Sequence, residues 1–292
     1  MKPPKFAYHA PGSVEEAIQL LQSYAGNARI LAGGQSLVPL LNFRLLAPQA
    51  LVDLRKVPGL ADIRYSQGKV CIGAMTRQRA AETSPVVAQH LPIMIEALGW
   101  VGHLPTRSRG TIGGSIAHAD PSAELPMVLL ALDGEVCAQG SSGTRVIAAD
   151  DLFDSVFTTK LAPGEILSEV RMPAMQVRAG FAVEEYARRK GDFAIVAVAS
   201  IIEGDTKRCT RARLVAAGVG ARPVRLRAAE QLLEKGGVGA EAIEAAARDA
   251  AEAVEPTSDP VASADFRRHL TAVLAKRALQ RAVHRIEAYP HG

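Results

Sequence analysis

The spacing of apolar residues near the start of the chain predicts a helix, a strand, a glycine turn and a second helix. Ser13 and Glu16 have the spacing of a capping box at a helix start. The apolar face that follows is formed by Val14, Ala17, Ile18 and Leu21. An apolar run over 28–32 then stops at Gly33-Gly34, and apolar residues resume over 37–41. We therefore expect a strand that turns at the glycine pair into a second, shorter helix.

Up to residue 173, stretches with the hydrophobic period of a helix continue to alternate with stretches typical of strands. In chain order it predicts strands over 50–54 and 69–73, a long helix over 85–100, a short helix over 122–132 and a hairpin around 140–143. Pro58-Gly59 and Gln67-Gly68 provide the turns between the strands. This mixture indicates an α+β fold.

The pattern changes beyond Pro173. Three successive strands are predicted over 181–189, 192–203 and 211–219, and the run 193–202 is apolar enough for a buried strand. Alanine-rich helical segments follow over 224–235, 240–254 and 263–287. We expect a C-terminal three-stranded sheet that is covered by helices.

Composition and charge narrow the class of protein. The 292 residues are 48% hydrophobic and 22% charged, which is typical of a globular protein with two or three domains. A net charge of +4 and 4% aromatic residues give little support for binding nucleic acid, and no apolar run reaches the ~20 residues of a membrane span. These features favour a protein that binds a small molecule or cofactor.

The cysteines and the N-terminus bear on metal content and location. Cys71, Cys137 and Cys209 are far apart in sequence, so no Cys-x-x-Cys pair is present for zinc or an iron–sulfur cluster. Isolated thiols are typical of a reducing compartment, and the first residues contain no apolar segment of a signal peptide. We expect a cytoplasmic protein whose metal centres, if any, lie in another chain.

Two double-glycine turns are the strongest candidates for a binding site. They are the segments 32–36 and 111–115, and each ends in serine. Glycine lets successive backbone amides approach an anion, so two such loops could bind one diphosphate. The alternative is that each pair only forms a tight turn with positive φ. The commoner phosphate and hydrolase motifs are absent, because no P-loop, complete dinucleotide fingerprint or nucleophile elbow occurs.

Three further clusters allow a structural or a functional interpretation. His118, Asp120 and Glu124 could suggest a metal site, but the spacing favours Asp120 as a helix cap and Glu124 as an acceptor for sugar hydroxyls. The charged segment 188–192 is either a solvated hairpin tip or a cation beside an electron-rich ring. The basic residues of 263–287, Arg267 among them, suggest a helix with a wet face or a docking surface.

Four ordered motifs resemble the FAD-binding medium subunit of molybdenum hydroxylases, the group of carbon monoxide dehydrogenase and xanthine dehydrogenase. They are Leu-Ala-Gly-Gly-Gln-Ser-Leu-Val-Pro-Leu over 31–40, Ile-Gly-Ala-Met-Thr over 72–76, Arg-Gly-Thr-Ile-Gly-Gly-Ser-Ile-Ala-His-Ala-Asp-Pro-Ser-Ala-Glu over 109–124, and Arg-Arg-Lys-Gly-Asp-Phe-Ala over 188–194. The resemblance covers essentially the whole chain. It implies a two-part FAD-binding region of the vanillyl-alcohol-oxidase (PCMH) type over 1–177, divided near residue 55, and a C-terminal flavoprotein domain over 178–292.

The resemblance also implies the residues that contact FAD. The diphosphate would be held by two sets of loop residues, with Thr76 near the nucleotide. The loop residues are Ala32, Gly33, Gly34, Gln35, Ser36 and Leu37 in the first loop, and Gly110, Thr111, Gly113, Gly114 and Ser115 in the second. Glu124 would contact sugar or ribityl hydroxyls, the backbone of Leu167 would meet the pyrimidine edge of the flavin, and Lys190 with Phe193 would lie beside the ring.

The function that the resemblance implies is an electron relay. A large subunit with a molybdopterin cofactor would oxidise the substrate, [2Fe-2S] clusters of a small subunit would carry the electrons, and FAD in this chain would collect them for an external acceptor. The expected assembly is a dimer of heterotrimers. No residue is assigned as catalytic or as a metal ligand, because the flavin performs the chemistry. The alternatives are a stand-alone FAD oxidoreductase of the same fold and a scaffold that has lost its flavin.

Overall fold

The chain is described by a computed structural model that covers residues 2–205 and 208–288. Its strands are β1 (Ala7–His9), β2 (Ala28–Leu31), β3 (Ala50–Asp53), β4 (Ile63–Ser66), β5 (Lys69–Gly73), β6 (Glu135–Gly140), β7 (Gly143–Ala148), β8 (Phe153–Ser155), β9 (Thr158–Thr159), β10 (Ile166–Pro173), β11 (Gly180–Tyr186), β12 (Val196–Gly204), β13 (Cys209–Ala217) and β14 (Val224–Arg225).

The helices lie between and after these strands. They are α1 (Val14–Ser23), α2 (Leu37–Asn42), α3 (Gln78–Glu82), α4 (Pro85–His90), α5 (Pro92–Leu98), α6 (Leu104–Arg109), α7 (Ile112–His118), α8 (Glu124–Ala131), α9 (Ala149–Leu152), α10 (Arg227–Gly236), α11 (Ala240–Glu252) and α12 (Ala264–Glu287). None of the described helices has the length and hydropathy that crossing a bilayer requires.

Three sheets organise these elements. In the first, β1 and β2 flank β3 and both run parallel to it. The second is antiparallel with the order β4-β5-β10-β6-β7, and the third is antiparallel with the order β11-β12-β13-β14. The strands β8 and β9 form a separate two-stranded ribbon. The mixed α+β fold expected from the sequence is confirmed.

The buried apolar residues form three clusters. One joins α1 to the parallel sheet and reaches Ile166 on β10. The largest joins β5, β6 and β10 to α5, α7 and α8, and it also takes in inward-facing residues of β11 and β12 such as Val183 and Ala197. The third packs α10, α11 and α12 on the opposite face of the last sheet. Helix α8 packs on β12 and β13 of the last sheet, shares the largest apolar cluster with β5, β6 and β10, and lies buried along its whole length.

Three predictions of local structure require correction. The helix expected over 85–100 is two helices, because Pro92 keeps Leu91 out of the helical region, at φ −136° and ψ 54°. The helix expected from residue 122 begins at Glu124. The C-terminal sheet has four strands rather than three, since the chain beyond Pro223 returns and pairs β14 with β13.

Candidate cofactor-binding site

The two glycine loops are in direct contact through their backbones. A Cβ atom on Gly33 would lie 2.5 Å from the carbonyl oxygen of Arg109 and 2.8 Å from the Cα of Gly110. A Cβ on Gly114 would lie 3.3 Å from the Cβ of Ala32, in the first loop. Contacts this close exclude any side chain at Gly33 unless the backbone moves. The fold thus brings together two segments that are about 75 residues apart in sequence.

The first loop links β2 to α2 through a left-handed residue. Gly34 has φ +73°, which an L-residue with a side chain rarely adopts. The Gly34 carbonyl accepts a hydrogen bond from the Val38 amide at 3.0 Å, and Gln35 Nε2 donates to the Gly33 carbonyl at 3.1 Å. Ser36 precedes α2 and its hydroxyl makes no cap hydrogen bond to that helix. The loop conformation is therefore fixed by backbone contacts, while the Ser36 hydroxyl remains available to a ligand.

The second loop is joined to the chain segment that follows β5. The amide of Gln78 donates to the Gly110 carbonyl at 2.9 Å, and the amide of Ile112 donates to the Thr76 carbonyl at 3.0 Å. Gly113 packs on Ala74, where an added Cβ would lie 2.6 Å from the Ala74 Cα. These contacts hold the start of α7 against the end of β5.

Thr111 and Ser115 complete this second loop. Thr111 caps α7, and its side-chain oxygen accepts from the Gly114 amide at 3.1 Å. The amide of Ser115 donates to the Thr111 carbonyl at 3.2 Å, which closes the first helical turn. The loop conformation is therefore fixed by hydrogen bonds within the chain.

The two glycine loops and the segment 74–78 form a cradle, and Thr76 provides a test of whether this cradle suits a polar ligand. Its side chain is 1% exposed, and Oγ1 has no hydrogen-bond partner among the described residues. Gln78 Oε1, which lies against Gly110, is also buried without a partner in the described part of the chain. Leaving such a group unpaired costs roughly 1–3 kcal/mol. A bound nucleotide would supply the missing partners, so the residues present fit FAD.

Glu124 and Leu167 are both buried beside this cradle. Glu124 begins α8, which packs against α7, and its side chain is 6% exposed. Burial, with a smaller effect from Asp120, raises the pKa of Glu124 to about 7. Leu167 lies on β10 where the pairing with β6 shifts register, and its side chain belongs to the core. Since that side chain is engaged, any ligand contact of Leu167 involves its backbone, as the sequence resemblance implies.

Lys190 and Phe193 lie in the exposed turn between β11 and β12. Phe193 is 64% exposed, an unusual setting for a large apolar side chain. Gly191 has φ +90°, and a Cβ on it would lie 2.5 Å from the His103 ring. His103 directly precedes α6, the helix that Gly110 follows. The turn therefore lies against the segment that leads into the second loop.

Two sequence-based assignments were wrong. Asp120 does not cap a helix, because its Oδ1 accepts from the Ser122 amide at 2.9 Å and closes a turn before α8. Arg267 is not part of a wet face: it is 7% exposed and donates to the carbonyls of Ile195 and Gly218. The helix pattern alone could not distinguish it from its exposed basic neighbours.

Sequence reasoning also missed a buried carboxyl group on β11. Glu185 is 9% exposed and shares a strand face with Val183, and its Oε2 has no hydrogen-bond partner within the described residues. The strand alternation of β11 gave the signal, since Val183 and Glu185 are two positions apart. A metal site does not explain it, because no group of three or more metal-ligand side chains occurs in 2–205 or 208–288.

Comparisons with sequence families match nearly the whole chain. Residues 4–175 match the FAD binding domain in molybdopterin dehydrogenase, and residues 181–282 match the CO dehydrogenase flavoprotein C-terminal domain. The 6-hydroxypseudooxynicotine dehydrogenase complex subunit alpha of Paenarthrobacter nicotinovorans is 45% identical over 98% of this chain and 97% of its own length. The carbon monoxide dehydrogenase medium chain of Hydrogenophaga pseudoflava is 34% identical over 97% and 98%.

Solved structures agree with these sequence matches. A chain of carbon monoxide dehydrogenase from Hydrogenophaga pseudoflava superimposes with a TM-score of 0.96 at 36% identity, over 98% of this chain and 99% of that one. A chain of quinoline 2-oxidoreductase from Pseudomonas putida 86 gives a TM-score of 0.93 at 39% identity, over 97% and 99%. With its paired glycine loops and these matches along both parts, the chain belongs to the family of FAD-binding medium subunits of molybdenum hydroxylases.

Proposed function

We propose that the cradle between the two glycine loops holds the FAD diphosphate, and that this flavin relays electrons from a partner subunit to an external acceptor. The observation that carries the proposal is the backbone contact of Gly33 with Arg109 and Gly110. This contact brings the side-chain-free backbone of one loop next to that of the other, so both loops can approach one anionic ligand. The membership of the family supports the same assignment.

Each proposed contact uses a different property of the residue. In the first loop, residues 32–37 offer backbone amides and the Ser36 hydroxyl, which makes no cap hydrogen bond. In the second loop the amides of Gly110, Gly113, Gly114 and Ser115 already donate within the chain, so Gly110, Thr111, Gly113, Gly114 and Ser115 are assigned a different contribution: backbone without bulky side chains for close approach, and the Thr111 and Ser115 hydroxyls as donors. Thr76 places an unpaired hydroxyl at the nucleotide. Glu124 accepts from sugar or ribityl hydroxyls, and the Leu167 backbone meets the pyrimidine edge.

The turn between β11 and β12 is assigned to the flavin ring. Lys190 and Phe193 lie beside the ring system, and their exposure in this structure leaves both side chains free to do so. The flavin supplies the redox chemistry, accepting and releasing electrons. The residues of the chain bind and orient it, so none is assigned as a general acid, a general base or a metal ligand.

The electron donor is proposed to be an iron–sulfur subunit. Cys71, Cys137 and Cys209 are all buried free thiols, and no metal-ligand group of three occurs among the described residues. The relatives are subunits of larger complexes, one of them named a medium chain and another a complex subunit. We infer a large molybdenum-cofactor subunit and a small [2Fe-2S] subunit as partners, in a cytoplasmic dimer of heterotrimers.

We also propose the domain limits 1–177 and 178–292, with a subdivision of the first near residue 55. The family matches end at 175 and resume at 181, which supports a boundary in this interval. The core around α8 includes residues from both sides of the boundary. The two parts are therefore expected to unfold together rather than as independent units.

The experiment that tests the FAD site adds one methyl group to the cradle. Gly33→Ala places a Cβ 2.5 Å from the Arg109 carbonyl oxygen, so the loops must separate and FAD affinity falls about tenfold or more. Gly239→Ala is the matched control, since nothing lies within 4 Å of a Cβ there. FAD bound per chain is measured by fluorimetry after equilibrium dialysis.

A second variant protects this test against simple misfolding. Gly114→Ala meets the Thr111 Oγ1 at 2.5 Å and the Ala32 Cβ at 3.3 Å, so it disturbs the cap of α7 and the contact between the loops, but no backbone atom, and the chain keeps its fold while binding weakens. Wild-type FAD affinity in both Gly33→Ala and Gly114→Ala, with native unfolding midpoints, would place the cofactor elsewhere.

A further inference from the structure

Two buried carboxyl groups lie where α8 covers the last sheet, because Glu185 is the cross-strand neighbour of Ala197 on β12 and α8 packs on β12. Glu124 begins α8 and is 6% exposed, whereas Glu185 lies on β11 and is 9% exposed. Val183, on the same face of β11 as Glu185, belongs to the apolar core that contains α8. The Glu185 Oε2 has no hydrogen-bond partner in the described ranges. A buried carboxyl without a partner is uncommon in a structural role.

No described cation lies against this pair, and neither carboxylate takes part in a salt bridge within 2–205 and 208–288. The charged groups on α12 and α5, which pack on β11, are engaged with one another. They are Arg281, Arg285 and Glu96, together with Glu184 on the outer face of β11.

The sheet strands behind the pair also offer it no counter-charge. The charged groups there are Glu203 on β12 and Arg211 and Arg213 on β13, and the two arginines bind Asp133. Before α8, His118 stacks on Phe157 and burial lowers its pKa, so it is neutral at pH 7. The remaining charged neighbour is Asp120, which is itself an acid.

The titration of the two groups follows from this environment. Burial raises the pKa of Glu124 to about 7, with a further contribution from Asp120, and burial raises the pKa of Glu185 to about 8. The Glu124 charge adds to the increase at Glu185, whereas Glu185 is still neutral when Glu124 ionises. The two groups therefore lose their protons in sequence over the neutral range.

The pair also lies between segments assigned to the cofactor. Glu124 follows α7, whose first turn is the second glycine loop, and α7 packs on α8. Glu185 lies five residues before Lys190, in the strand that leads to the turn assigned to the flavin ring. The same turn contacts His103 beside the second loop. Both carboxyls are thus attached to elements that surround the proposed flavin.

We propose that Glu124 and Glu185 form a proton-loading site that takes up a proton from solvent when the flavin gains negative charge. This inference rests on the proposed FAD site. Electrons that arrive from iron–sulfur centres of a partner subunit bring no protons, so the charge of the reduced flavin must be balanced locally. A proton binds a carboxylate oxygen of the pair, no bond forms between the pair and the flavin, and reoxidation returns the proton to solvent.

The test compares Glu185→Gln with a matched control in the FAD-loaded chain. Glu203→Gln is the control, because Glu203 lies in the same sheet and is also 9% exposed, but is held by Gln176 and Arg211. The flavin midpoint potential is measured from about pH 6 to about pH 9, which spans the pKa values of about 7 and about 8. FAD content is measured on every sample.

We expect wild type and Glu203→Gln to show a bend in the potential across this range, and Glu185→Gln to bind FAD normally, lose the part of the bend near pH 8 and keep the part near pH 7 that comes from Glu124. An unchanged curve in Glu185→Gln would overturn the proton-loading site while leaving the FAD site intact. If wild type took up no FAD, the proposed function would fail and this inference with it.

Proton uptake by the wild-type chain provides a second test that does not depend on the folding of any variant. In weakly buffered solution, reduction of the bound flavin is expected to take up more protons near pH 8 than near pH 6, where the pair is already protonated. Equal uptake at both values would contradict the proposal.

Discussion

Asp133 and Glu185 are two carboxyl groups at the same junction, and their surroundings are opposite. Asp133 follows α8 and is bound by Arg211, Arg213 and Arg225, which project from β13 and β14. Glu185 faces α8 from β11 and has no cation partner among the described residues. Burial raises the pKa of Asp133, but the three guanidinium groups outweigh it and leave that pKa below its ordinary value.

The comparison shows how one junction serves two purposes. A carboxylate with three arginine partners stays charged and links the first part of the chain to the last sheet. A carboxyl in the same layer without arginine partners keeps its proton near neutral pH, with a pKa of about 8. The difference comes from the position of the arginines on the strands, since the acidic groups themselves are equivalent in chemistry.

The largest effect on stability is expected from Asp133→Asn. The substitution removes the carboxylate that three guanidinium groups share, although each arginine keeps a pairing glutamate, and weakening this half-buried network costs about 2 kcal/mol of unfolding free energy. The measurement is urea unfolding of the free chain. Asp265→Asn is the control, because that carboxylate is 95% exposed and pairs only with Arg268.

A change below about 1 kcal/mol in Asp133→Asn would show that the pairing glutamates satisfy the arginines without Asp133, and that the shared ion network is not what distinguishes Asp133 from Glu185.

The pH dependence of stability should divide between the two groups. The lowered pKa of Asp133 means that its stabilisation is present above the unfolded-state pKa near 3.8 and disappears as the pH falls through the lower folded value. The raised pKa of Glu185 has the opposite consequence, because the folded state loses stability as the pH rises from about 4.5 to about 8. The free chain is therefore expected to be less stable at both ends of the range.

Variants assign each end to one residue. Unfolding midpoints are measured from about pH 3 to about pH 9. The decrease in stability at low pH (the acid limb) should be smaller in Asp133→Asn, and the decrease between about pH 4.5 and about pH 8 (the alkaline limb) should be smaller in Glu185→Gln. An alkaline limb that is identical in wild type and Glu185→Gln would mean that Glu185 is ionised and solvated at neutral pH.

The smallest effect is expected from Thr76→Val, which removes another buried polar group without a partner. The free chain should keep or slightly gain stability, because an unpaired hydroxyl is replaced by a methyl group of similar size. FAD affinity should fall about tenfold, equivalent to about 1.4 kcal/mol, because the ligand loses a hydrogen bond. FAD titration and thermal unfolding measure the two quantities.

Thr271→Val is the matched control for this variant. Thr271 is also fully buried, but its hydroxyl donates to the Arg267 carbonyl at 2.8 Å. We expect lower stability and unchanged FAD affinity. If Thr76→Val instead lost stability in the same way, its hydroxyl would have a structural partner rather than the cofactor.

The sequence was most informative where the residue type alone determines the structure. Glycine at positions 33, 34, 110, 113 and 114 permits a left-handed turn or a backbone contact that other residues resist, so both loops could be predicted. The three long strands and three long helices of the last part followed from strong periodicity. These features depend on local chemistry.

The features that the sequence did not predict depend on tertiary contacts. The short strand β14 exists because β13 offers it a free edge. Arg267 has an ordinary place in a basic helix, and only its contacts with the Ile195 and Gly218 carbonyls make it a buried donor. The Glu124–Glu185 pair joins two segments about 60 residues apart and cannot be inferred from either segment. Burial and partners, rather than residue type, determine these roles.

The central claim is that the two glycine loops together hold one FAD. The most direct measurement is the FAD content of the purified wild-type chain after incubation with FAD and gel filtration, taken from the visible absorbance of oxidised flavin. We expect close to one FAD per chain at saturation and, with free FAD at the wild-type dissociation constant, about half occupancy in wild type against roughly one tenth in Gly33→Ala. A colourless wild-type chain with both loops intact would contradict it.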